Sequence, residues 1–68
     1  MANAYKKHVL YTNGKEYGEG DPIILRLKTG VILVGIIKKI CFSIGHGASV
    51  ALYIHNGEIT IDVDMIDN

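Results

Sequence analysis

Apolar and polar residues alternate one for one along much of the chain. Within residues 23–28, Ile23, Leu25 and Leu27 fall on one side and Ile24, Arg26 and Lys28 on the other. Within 49–55, Val50, Leu52 and Ile54 alternate with Ala51, Tyr53 and His55. Within 58–64, Ile59, Ile61 and Val63 face inward, with Glu58, Thr60, Asp62 and Asp64 outward. A period of two is the signature of a strand with one buried face. The eleven isoleucines agree, because β-branched side chains fit strands better than helices. Strands are therefore expected near 23–28, 31–41, 49–55 and 58–63. A shorter hairpin is expected around 8–12 and 15–17, and a single helical turn at 64–67.

Turn residues separate these stretches. Asn13-Gly14 and Asn56-Gly57 are hairpin signals, since a type I′ turn needs positive φ at both central residues. Thr29-Gly30 marks a third hairpin, and looser breaks cover 18–22 and 43–48. No internal repeat or low-complexity tract is present.

One stretch has no polar face. Across 31–40 a strict alternation puts Val31, Leu33 and Ile37 on one side, and Ile32, Val34, Ile36 and Ile40 on the other. A small barrel offers one interior, so the second apolar face needs another cover. That cover is the far half of a bent sheet, the N-terminal hairpin, or a second subunit.

Size sharpens this point. A chain of 68 residues makes a single domain, read here as an N-terminal extension or hairpin (1–22) and a core (23–63). Domains below roughly 70–80 residues usually need a disulfide, a metal or a partner subunit. The lone Cys41 cannot form an internal disulfide and favours a reducing, cytoplasmic setting. No apolar stretch approaches the roughly 20 residues of a membrane span, and residues 1–8 lack the apolar region of a signal peptide. Charge sums to zero but is uneven. Residues 1–39 hold all seven Lys/Arg against three acids, giving +4, and residues 40–68 hold four acids alone, giving −4. Adjacent strands pairing opposite charges account for this most simply.

The run Ile23-Ile24-Leu25-Arg26-Leu27-Lys28-Thr29-Gly30-Val31-Ile32-Leu33-Val34-Gly35-Ile36-Ile37 resembles the first motif of the Sm-like family. There an alternating strand enters a Leu-Lys-x-Gly turn, and a second glycine follows in a long bent strand. The stretch Ile54-His55-Asn56-Gly57 is similar to the family's second motif. The tail Ile61-Asp62-Val63-Asp64-Met65-Ile66-Asp67 is similar to the closing segment of small bacterial Sm-like regulators that bind a protein partner. The resemblance implies a strongly bent five-stranded Sm/SH3-like barrel with scaffold glycines Gly30, Gly35 and Gly57. It does not carry over RNA reading. Cys41 stands at the family's Asp position, Ile44-Gly45 at its Met-Asn pair, and Asn56 where it has Arg.

No catalytic constellation is visible: no phosphate loop, dinucleotide fingerprint or paired-Cys spacing. His8, His46 and His55 with Asp62 and Asp64 are too scattered to indicate a metal site, and no cofactor is implied. Gly45 and Gly47 flank His46, a loop that can turn backbone N–H groups toward an anion, with Ser49 as a further donor. The four tyrosines Tyr5, Tyr11, Tyr17 and Tyr53, with Lys6, Lys7, Lys15 and Lys38, suggest a stacking surface for single-stranded nucleic acid. Zero net charge argues against that use, because phosphate contacts dominate such affinity.

These observations converge on an all-β, non-enzymatic binding module that self-associates and contacts a protein, as a small regulatory or inhibitory factor of the kind phages and plasmids encode. Two alternatives stand open: an Sm-like RNA-binding ring, and a small-ligand or anion-binding oligomer. The expected binding residues are Gly45, His46, Gly47, Ser49, His55, Asn56, Lys38 and Lys39. Ile32, Val34 and Ile36 are the expected subunit contact.

Overall fold

A computed structural model describes residues 9–43, 45 and 47–67. Over these the chain is all-β, built as two antiparallel sheets. The first is a hairpin of β1 (Leu10–Thr12) and β2 (Lys15–Tyr17). Asn13 and Gly14 both take positive φ, 55° and 76°, as a type I′ turn requires. The second sheet is a meander of β3 (Pro22–Arg26), β4 (Ile32–Ser43), β5 (Gly47–Ile54) and β6 (Gly57–Asp62), in that spatial order. A 3₁₀ turn, Val63–Met65, follows β6.

Local chemistry explains the joints. Between β3 and β4, the Gly30 amide donates to the Leu27 carbonyl at 2.8 Å and Gly30 takes φ 95°. The Leu27 amide then donates to Val31 at 2.8 Å, which makes a three-residue loop with glycine in the left-handed position. Between β5 and β6 the turn differs from the type I′ expectation. Ile54 pairs with Gly57, so His55 and Asn56 are the central residues and Asn56 does not take positive φ. Gly35 is needed for a different reason, close approach. A Cβ there would run into the Tyr53 carbonyl oxygen across the β4–β5 pairing.

The core joins both sheets. Leu10, Ile23, Leu25, Ile37, Ile40, Val50, Leu52 and Ile66 are buried together, with Tyr17, Leu27, Leu33, Ile54, Ile59, Ile61 and Val63 packed around them. Ile40 sits on the buried side, not on the outer side where strict alternation had it. The register shift between Ile37 and Lys39 is the cause. Lys38 is an extra residue in β4, so both lysines reach solvent while Ile37 and Ile40, 1% and 3% exposed, both turn inward. Val31 also departs from the expected inner face. It lies at the end of the β3–β4 loop and is half exposed.

Among the described residues a closed five-stranded barrel does not form; they make six strands in two open sheets. The segment that would supply a closing strand folds instead as the 3₁₀ turn, with the Ile66 amide donating to Val63 at 3.0 Å. Only one residue, Ile66, then bridges back to Leu27. Two hydrogen bonds flank that bridge, Lys28 N–H to Met65 C=O and Asp67 N–H to Arg26 C=O, each 2.8 Å.

Candidate functional site

The outer face of β3 and β4 is apolar and open. Ile24, Ile32 and Val34 are 60–65% exposed, and Ile36 and Tyr53 are each 47% exposed. Register brings them together. Ile24 lies opposite Val34, Arg26 opposite Ile32, and Pro22, Ile36 and Tyr53 form one row across three strands. The hairpin borders this face, where Lys15 and Tyr17 lie beside Ile24 and Val34, and leaves both of those side chains exposed. Ile32, Val34 and Ile36 were expected here from the sequence; Ile24 and Tyr53 were not. The signal for Ile24 was present as three consecutive apolar residues, Ile23-Ile24-Leu25, in a strand that needs only alternate ones.

A groove of about 400 Å³ runs along the β3 side of this face. It is lined by Lys15 and Tyr17 of β2, Pro22, Ile23 and Ile24 of β3, and Val34 and Gly35 of β4.

At the far border of the face, the Lys38 ammonium donates to Glu58 Oε1 at 2.7 Å and lies 5.6 Å from the centre of the Tyr53 ring. The hydrogen bond to Glu58, then the charge of Glu58, push the lysine pKa above its ordinary value. Arg26 Nε and Asp67 Oδ2 approach to 3.5 Å. Both pairs join the basic first part of the chain to its acidic end, and both are well exposed. Such pairs contribute little to stability.

Among the described residues, the other expected binding residues lie at different parts of the sheet. Gly45, with φ 87°, sits in the β4–β5 connection, and Gly47, with φ 84°, opens β5 opposite Ser43. His46 lies outside the described residues, as do His8, Tyr5, Lys6 and Lys7. Ser49 is half-buried within β5, between Cys41 and Asp62. His55 and Asn56 are at the opposite end of β5. Eight residues of strand separate the two turns, about 23 Å at 3.3 Å per residue. Lys39 is exposed beside the bulge, and Tyr17 is half-buried, packed against the core and lining the groove. Among the described residues, no three His, Cys, Asp or Glu side chains converge as metal ligands, and no helix is long and apolar enough to cross a membrane.

Comparison with known protein families, curated proteins and solved structures finds no match to this chain.

Proposed function

We propose that this chain is a non-enzymatic protein-binding module that works as a homo-oligomer, with the outer face of β3 and β4 as the contact between copies. The observation that carries this reading is the exposure of Ile24, Ile32, Val34, Ile36 and Tyr53 on one contiguous face. Burying such a side chain stabilises by about 1.5–3 kcal/mol, equivalent to roughly 60–120 Å² each. Five of them supply on the order of 500 Å² of apolar area. At roughly 65% apolar content, that corresponds to about 770 Å² per copy, close to the 800 Å² of a standard interface. A second copy suits the face because it is apolar and on a chain of zero net charge, so no long-range repulsion opposes approach. Two such faces stack as sheets about 10 Å apart.

A strand leading through Leu27-Lys28-Thr29-Gly30 into a bent strand supports kinship with Sm-like folds, with the Leu27–Ile66 bridge where a barrel would close. A single half-buried cysteine fits a reducing cytoplasm. Sedimentation at micromolar concentration tests the assembly, with Ile32→Lys and Ile36→Lys as variants. Oligomer in the wild type and folded monomer in the variants supports it; a monomeric wild type refutes it. A nucleic-acid complex whose affinity falls steeply with salt would favour the RNA-binding alternative instead.

A further inference from the structure

The groove lies along a strand edge whose backbone is open. Ile37 N–H donates to Asp21 C=O at 3.0 Å, and Leu27 N–H to Val31 C=O at 2.8 Å. With the β3–β4 register, these fix the alternation of the ladder: residues 21, 23, 25 and 27 bond to β4. Pro22, Ile24 and Arg26 therefore turn their peptide groups away from β4. Pro22 loses no ladder bond there, which is why a proline is accepted. The Arg26 carbonyl is taken by the Asp67 amide. The Ile24 amide and carbonyl face the groove side, where β2 belongs to a separate sheet and forms no ladder with β3.

We propose that this edge and its groove bind an extended segment of a partner protein, apolar at alternate residues and acidic between them, which adds a short strand to β3. The Ile24 peptide groups supply the main-chain hydrogen bonds. Ile24, Val34 and the Tyr17 ring supply apolar contact, and the volume lies within the roughly 300–1,000 Å³ of ordinary ligand sites. Charge selects the acidic segment. Among the described residues Lys15 is the one ionised side chain lining the groove, and Lys28 follows in the β3–β4 turn, whereas Arg26 is already paired with Asp67. This deepens the reading of a protein-binding module; Ile24 and Val34 are shared with the proposed contact between copies, whereas Lys15 and Tyr17 belong to the groove alone.

A fluorescent blocked peptide, acetyl-Val-Glu-Val-Glu-Val-Glu-Val-amide, titrated against the full chain by anisotropy tests it. The expected result is saturable binding that weakens at least tenfold in Lys15→Glu and when the peptide's Glu residues are replaced by Lys. Ile24→Pro removes the edge N–H without touching the β4 ladder, and should abolish binding while the far-ultraviolet dichroism stays that of the wild type. Lys15→Glu, on an exposed hairpin position, keeps the test valid if Ile24→Pro unfolds. No saturable binding up to millimolar protein overturns the proposal. So does binding indifferent to Lys15→Glu and lost in Ile32→Lys, which would put the peptide on the outer face; sedimentation of the same variants reads self-assembly separately.

Discussion

At the residue scale, a few positions are set by contacts that no substitution can reproduce. Leu25 is fully buried at the centre of the core. Leu25→Ala removes about 2–5 kcal/mol, against a total of about 3–5 kcal/mol that a core of this size usually supplies. The variant is expected to be largely unfolded at 25 °C by circular dichroism. Lys38 makes a gentler case. Its folded pKa is raised by Glu58, so the pair's contribution is fully present below the ordinary lysine value near 10.4. It disappears as pH rises through the folded value. In an NMR titration of the lysine Cε resonances, Glu58→Gln should lower the Lys38 midpoint. A midpoint unmoved by that change would mean that the hydrogen bond is not formed in solution.

At the element scale, β4 combines a close approach and a bulge. Gly35→Ala would drive a methyl group onto the Tyr53 carbonyl, which only backbone movement can relieve. Overpacking of this kind destabilises by about 1–3 kcal/mol or more. Urea melts should show a lower midpoint, and exchange protection should fall first across β4 and β5. The bulge gives the opposite expectation. Removing one residue from a regular strand flips every later side chain to the other face. Deleting Lys38 removes the extra residue instead, so Ile37 and Ile40 stay inward with alternation restored. The deletion should remain folded by heteronuclear NMR, whereas deleting Val34, in the regular part of β4, should unfold the chain.

At the scale of the whole molecule, the four-stranded sheet has a core on one side and an uncovered apolar face on the other. Val34→Lys places a charge on that outer face, where the residue is 63% exposed in a single copy. It should give soluble, folded monomer by sedimentation and dichroism. Leu25→Lys, the core control, should unfold. If both variants unfold, the outer face is part of the folding core of one chain, and the assembly proposal fails with it.

Period two in 23–28, 49–55 and 58–64, with glycines at the turns, was enough to place the strands and most inward residues, because side-chain direction in a strand is a local property. The type I′ turn at Asn13-Gly14 was legible for the same reason: its φ angles depend on two residues alone. The fate of Ile40 was not, since a bulge is set by pairing with Val50 and Ala51 across the sheet. Two lysines between Ile37 and Ile40 were the only hint of it. The grouping of Ile24 with Val34 and Tyr53, the groove beside β3 and the single bridge in place of a closing strand likewise arose from register between distant segments. Alternation determines which residues share a face of one strand. Only packing of the strands against one another determines which faces meet, and which are left open to a partner.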